Sequence, residues 1–177
     1  MRLSNAEEPR KAETDASTKR ALATDIAFSI SLNFISLIKY YRMKILILNG
    51  PNLNLLGTRE PAIYGSVSME DYLTDLKQEF SGDDIIYYQS NIEGELINCL
   101  QDDDFEAVVI NPGAFTHYSY AIADCLKNIN KPKVEVHITN IYKREEFRKK
   151  SVTAESCDAV ISGFGMKGYR LAILSLK

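Results

Sequence analysis

The chain has 177 residues, 45% of them hydrophobic and 25% charged, with a formal net charge of −3. This is ordinary for a globular protein with enough chain to bury one core, and it supplies no basic footprint for nucleic acid. Three cysteines (Cys99, Cys125 and Cys157), far apart and without a C-x-x-C pair, form neither a disulfide framework nor a metal site; they read as reduced thiols of a cytoplasmic protein.

Residues 1–42 differ from the rest. Met1 to Asp25 is polar and charged with no strong apolar period, a disordered pattern. Between Ile26 and Ile38, Phe28, Ile30, Leu32 and Phe34 alternate as in a strand, while Ile26, Ile30, Phe34, Leu37 and Ile38 fit one helical face, so the period does not decide. The run is too short and interrupted to span a bilayer. Glu7, Glu8, Glu13, Asp15 and Asp25 count against a secretory or organelle leader. Met43 stands two residues before the first core run. The expectation is therefore an N-terminal extension or start-site artefact over 1–42 ahead of a catalytic domain over 43–177; the other reading is an arm that packs on another subunit.

From Lys44 onward the pattern is regular. Short β-branched runs at Ile45–Leu48, Ile85–Tyr88, Ala107–Ile110, Val134–Ile138 and Ala159–Ile161 alternate with helical segments. Ser68 precedes a helix with Met69, Tyr72, Leu73, Leu76 and Phe80 on one side, and Gly82 is expected to close it. Further helices are expected at Glu93–Gln101, Ser119–Asn128, Arg144–Lys150 and Lys167–Leu176. Such alternation predicts an α/β fold of three layers, flavodoxin-like, with a five-stranded parallel sheet in the order 2-1-3-4-5 and a crevice between strands 1 and 3.

The unusual polar residues fall at the carboxyl ends of these strands, where ligands bind in such sheets. Strand 1 empties into a long loop from Asn49 to Gly65 that carries Asn52, Arg59 and Tyr64. Strand 3 ends in Asn111-Pro112-Gly113-Ala114-Phe115-Thr116-His117. Strand 4 ends in Glu135-Val136-His137-Ile138-Thr139-Asn140, followed by Arg144 and Arg148. A guanidinium beside a phenol favours tyrosinate, so Arg59 would tune Tyr64 towards a usable base; most tyrosines merely pack. The two-residue period puts Glu135 and His137 on one strand face, where the carboxylate orients the ring, unless the histidine is simply satisfied within the sheet. His117, where a loop enters a helix, suits capping as well as binding. Arg144 and Arg148, spaced i and i+4, form either a solvated stripe or a carboxylate clamp. The glycines match neither G-x-G-x-x-G nor a Walker loop, no G-x-S-x-G occurs, and the two histidines lie on different elements, so nucleotide, serine-triad and metal chemistry lack support.

The loop G-P-N-L-N-L-L-G-T-R-E-P-x-x-Y-G, the run Asn111 to Ala114 with Thr116-His117, the run Glu135 to Asn140 with Arg144 to Arg148, and the closing Ser162-Gly163-Phe164-Gly165 and Gly168-Tyr169 together resemble type II 3-dehydroquinate dehydratase, in order, from about Lys44 to Leu176. The resemblance implies dehydration of 3-dehydroquinate to 3-dehydroshikimate, a step of the shikimate pathway, without metal or organic cofactor, in a homododecamer of four trimers with no nucleic-acid or membrane partner. It implies that Tyr64, as tyrosinate, takes the C2 proton, that Arg59 lowers its pKa, and that a water on Asn52 stabilises the enolate. It further implies that His137, oriented by Glu135, protonates the departing C1 hydroxyl. Asn111, His117, the amides of Ile138 and Thr139, and Arg148 would hold the substrate, Arg144 would help close the site, and Asp124 would reach a neighbouring subunit's site. Thr139 stands where many members carry Ser, which leaves a backbone contact in place. The rival readings are an isomerase or lyase acting on another carboxylated carbohydrate, and a non-catalytic flavodoxin-like module for nucleotide or flavin.

Overall fold

In a computed structural model, the structure describes residues 42–57 and 67–177. The expectations for residues 1–41, and for Arg59 and Tyr64, lie outside the described residues.

Strand β1 (Lys44–Asn49) is apolar at every position from Ile45 to Leu48 because it is covered on both faces. It pairs in parallel with β2 (Asp84–Gln89) on one side and β3 (Ala107–Asn111) on the other; β4 (Lys133–His137) and β5 (Ala159–Ser162) complete the sheet in the order β2-β1-β3-β4-β5. This is the flavodoxin-like order expected from the alternation of elements. Side chains of alternate parity supply two cores. Ile45, Ile47, Val109, Val134 and Val136 pack under helix α1 (Met69–Glu79) and helix α5 (Lys167–Ser175), through Met69, Leu73, Leu76, Tyr169, Ala172 and Ile173. Leu46, Leu48, Val108 and Ile110 pack under α2 (Glu93–Gln101) and α3 (Tyr120–Asn128), through Leu96, Leu100, Ile122 and Leu126. Full burial of each such aliphatic side chain contributes about 1.5–3 kcal/mol, which makes the two faces the main source of cohesion.

Two of the helix starts follow serine caps. Ser68 Oγ accepts from Asp71 N at 3.0 Å, and Ser119 Oγ accepts from Ile122 N at 2.9 Å. The end of α1 differs from expectation: the helix stops at Glu79, Phe80 N–H donates to Leu76 O, and Gly82 is not among the left-handed glycines. Gly82 thus lies in the turn before β2 and does not cap the helix.

The basic segment is a larger correction. No helix runs from Arg144 to Lys150. Ile141–Lys143 form a 3₁₀ turn capped by Asn140, whose Oδ1 accepts from Tyr142 N at 3.0 Å. Arg144 is extended (φ −95°, ψ −179°), and only Glu146–Lys149, helix α4, is helical. Arg144 and Arg148 therefore do not share a helix face. The Asn140 cap and the reach of Arg144 Nη2 back to Thr139 Oγ1, at 2.5 Å, hold the chain in a turn where i, i+4 spacing alone reads as helix.

Chain order places the crevice. The chain passes from β1 to β2 on one side and then crosses back to β3 on the other, so the loops leaving β1 and β3 diverge at their carboxyl ends.

Candidate active site

Those two loops meet through a close backbone contact before they diverge. A Cβ on Gly50 would sit 2.2 Å from the Pro112 carbonyl oxygen, and Gly50 N–H donates to Asn111 O at 2.8 Å. Gly113 reciprocates with φ +60° against Pro51. Only residues without Cβ allow this approach. Gly50→Ala is expected to cost about 1–3 kcal/mol, as overpacking against backbone does, and to lower Tm in a thermal melt; an unchanged Tm would mean that the contact relaxes freely.

Asn52 follows in the left-handed region (φ 67°, ψ 0°), a conformation asparagine tolerates better than most residues, and its N–H donates to Asn91 Oδ1 at 2.9 Å. Asn111, at the end of β3, pairs in register with Asn49. Beneath both, Tyr169 of α5 is fully buried; its hydroxyl donates to Asn49 Oδ1 at 2.8 Å and accepts from Asn111 Nδ2 at 3.0 Å. Burial pushes the Tyr169 phenol upward, so it stays protonated and keeps Asn111 oriented. Asn111 Oδ1 in turn accepts from Gly113 N.

His137 closes β4 with Glu135 on the same face. Its Nε2 lies 2.6 Å from Glu135 Oε1, and both side chains are almost wholly buried. Burial alone would raise the Glu135 carboxyl, but the hydrogen bond and charge of His137, with the hydroxyls of Thr153 and Ser151, outweigh it and hold it below the usual carboxylate value. The stability this group contributes is therefore present above its ordinary pKa and lost as pH falls through the lowered one.

His117 ends a 3₁₀ turn (Gly113–His117), and its Nδ1 lies 2.8 Å from the Lys150 carbonyl. That oxygen only accepts, so Nδ1 carries the hydrogen and Nε2 remains for a ligand. The Ile138 and Thr139 carbonyls accept from Gly165 N and Ser162 Oγ, whereas their own N–H groups donate to no acceptor among the described residues.

These groups border one cavity of about 650 Å³. Of the expected residues it gathers Asn52, Asn111, His117, His137, Ile138, Thr139, Arg144 and Arg148, with Glu135 behind His137. Lys143 joins the two arginines, so the mouth is cationic, while among the described residues no carboxylate lines the wall. That charge pattern suits a small carboxylated ligand. Asp124 is exposed on α3 and does not line the cavity of its own chain. Among the described residues no group of three or more His, Cys, Asp or Glu side chains converges as a metal site.

Dehydroquinase class II is the family whose model matches residues 43–177. The chain belongs to this family. A 3-dehydroquinate dehydratase of Carboxydothermus hydrogenoformans is 55% identical over 138 residues, which cover 76% of this chain and 90% of the relative. One of Thermotoga maritima is 53% identical over 137 residues, covering 76% and 95%. The crystal structure of the type II dehydroquinase of Butyrivibrio crossotus superposes with a TM-score of 0.73 at 46% identity, covering 76% of this chain and 97% of that one. This class II dehydroquinase is an enzyme of the same architecture.

Several residues that build the dehydroquinase cavity have no role assigned from the sequence. Lys143 and Asn140 line it, and Asn49 and Tyr169 brace Asn111 from beneath. Thr116, Ser151 and Thr153 surround Glu135. Asn49 and Asn140 stand among the strand-end polar residues that the sequence picks out, without a role assigned to either. Thr153 carries no such signal, and Tyr169 stands only in the closing Gly168-Tyr169 motif; both are brought in from distant segments.

Proposed function

We propose that the enzyme dehydrates 3-dehydroquinate to 3-dehydroshikimate by stepwise anti elimination through an enolate, within aromatic biosynthesis by the shikimate pathway. The observation that carries this reading is the buried His137–Glu135 pair opening onto a cationic cavity, in a chain 55% identical over 138 residues to a 3-dehydroquinate dehydratase.

The proton beside the substrate ketone is acidic enough for a tuned phenolate, and the role of Tyr64 is to remove it, with Arg59 stabilising the tyrosinate. Negative charge then develops on the ketone oxygen, where a water held by Asn52 donates. The left-handed backbone of Asn52 supports this role, because such conformations concentrate where a side chain must be aimed. His137 delivers a proton to the departing C1 hydroxyl while Glu135 stabilises the imidazolium. Asn111, His117, the N–H groups of Ile138 and Thr139, and Arg148 hold the substrate hydroxyls and carboxylate, and Arg144 helps to close the site. None of these steps calls for a metal or an organic cofactor.

The remaining parts of the reading are the catalytic domain over 43–177 behind an extension, a cytoplasmic location, and a homododecamer of four trimers in which Asp124 serves a neighbouring site. Among the described residues no helix is long and apolar enough to cross a membrane. The outward position of Asp124 supports the shared site. Light scattering of the full chain is expected to show the dodecamer, and a monomer at working concentration would remove Asp124 from the site.

The test of the reaction is an ultraviolet assay with 3-dehydroquinate. Growth of the conjugated enone absorbance of 3-dehydroshikimate is expected, and its absence with correctly folded enzyme would overturn the assignment.

A further inference from the structure

Resting on the reading of His137 as the acid, we propose that Thr116, Ser151 and Thr153 are positioning residues whose hydroxyls fix the Glu135 carboxylate so that it directs the His137 proton into the cavity. An ionised carboxylate only accepts hydrogen bonds and offers about four lone-pair sites. Oε1 lies 2.6 Å from His137 Nε2, 2.7 Å from Ser151 Oγ and 3.0 Å from Thr116 Oγ1, while Oε2 lies 2.5 Å from Thr153 Oγ1. Thr116 Oγ1 also lies 2.6 Å from Ser151 Oγ and 2.9 Å from Thr153 Oγ1. Ser151 Oγ in turn accepts from Ala154 N at 2.9 Å.

Each hydroxyl has a single hydrogen. Those of Ser151 and Thr153 go to the carboxylate, and that of Thr116 goes to Oε1 or to Ser151. The ring N–H adds a further donor, and all of these donors face a carboxylate that, while ionised, only accepts. Nε2 must then carry the ring hydrogen, which leaves Nδ1 as the nitrogen that gains and loses the catalytic proton. A preference for packing does not explain the hydroxyls. Thr116 and Thr153 are fully buried, and valine would fill the same volume without a buried polar group to satisfy.

The hydroxyls also join separate parts of the site. Thr116 belongs to the turn that presents His117, and Ser151 and Thr153 follow the helix that presents Arg148. Val152 N–H donates to Thr116 O at 2.8 Å and His117 Nδ1 meets Lys150 O, so the acid and two ligand-facing side chains share one frame.

Thr153→Val in the full chain removes one donor at nearly constant shape. It is expected to lower kcat about tenfold, the loss of one hydrogen bond to a charged group, with KM changed less than about twofold. Thr153→Ser should restore kcat. Long-range ¹H–¹⁵N spectra of the imidazole in its neutral form should show the Nε2–H tautomer in the parent and a mixture in Thr153→Val. An unchanged kcat with an unchanged ring spectrum would overturn the proposal, as would a loss that serine does not restore. If Thr153→Val fails to fold, Ser151→Ala at the half-buried neighbour is judged by the same readouts. The ring spectrum needs no turnover. A parent that holds the Nε2–H tautomer but forms no dehydroshikimate defeats the proposed reaction and leaves the positioning role standing; an active parent with a mixed tautomer does the reverse.

Discussion

Replacing Tyr64 with phenylalanine is expected to stop turnover while leaving substrate binding measurable. A phenol with an unperturbed pKa of about 10 is ionised to only about one part in a thousand at neutral pH, so an unassisted tyrosine is a poor base. Arg59 stands five residues before it in the same loop, and a guanidinium next to the phenol favours the charged form. Phenylalanine keeps the ring and removes the oxygen. The fixed wall of the cavity, with Asn111, His117 and Arg148, is untouched, so binding measured by calorimetry should survive. A general base supplies about 10²–10⁴-fold, and kcat should fall by at least the lower figure. Exchange of the C2 hydrogen with solvent deuterium should vanish with it. Near-normal turnover in this variant would sink Tyr64 as the base.

His137→Ala should separate the two halves of the reaction. Proton removal at C2 does not use the imidazole, whereas loss of the β-hydroxyl does, since hydroxide leaves an enolate poorly without a proton donor. The variant is therefore expected to lose about 10²–10⁴-fold in dehydration and still exchange the C2 hydrogen with solvent deuterium. Exchange followed by mass spectrometry and enone absorbance followed in parallel make the distinction. Retained dehydration would reassign the acid, and loss of exchange together with dehydration would show that His137 acts before the enolate forms. Glu135 keeps its bonds from Ser151 and Thr153 in this variant, so the fold should tolerate the change.

Much of the fold is legible in the residues because a parallel sheet covered on both faces demands near-continuous apolar strands. Ile45 to Leu48 and Ala107 to Ile110 carry that demand openly, and the serine caps at 68 and 119 mark their helices. Alternation with helices then leads to the order of strands. The basic segment departs from its local period because that period cannot register competition from side chains outside it: Arg144 is held by Thr139 and stays extended.

The site divides in the same way. Strand ends locate ligand-facing residues, since neighbouring strands of a parallel sheet terminate along one edge; Asn111, His137 and Ile138 could be picked without coordinates. Periodicity of two also pairs Glu135 with His137. What holds those residues comes from far along the chain. Tyr169 reaches Asn49 across 120 residues, and Thr153 reaches Glu135 across 18, with no periodic relation to announce either contact.

By itself, then, the amino-acid sequence determined the family, the layered sheet and the strand-end residues, because these follow from local apolar period and from motifs contiguous in the chain. Only the tertiary structure decided which side chains hold the Glu135 carboxylate, which glycines let the loops from β1 and β3 approach, and how Arg144 and Arg148 reach one cavity from different elements. Those features depend on distances between segments brought together by burial of the two cores, and no pattern along a single segment encodes a distance to another.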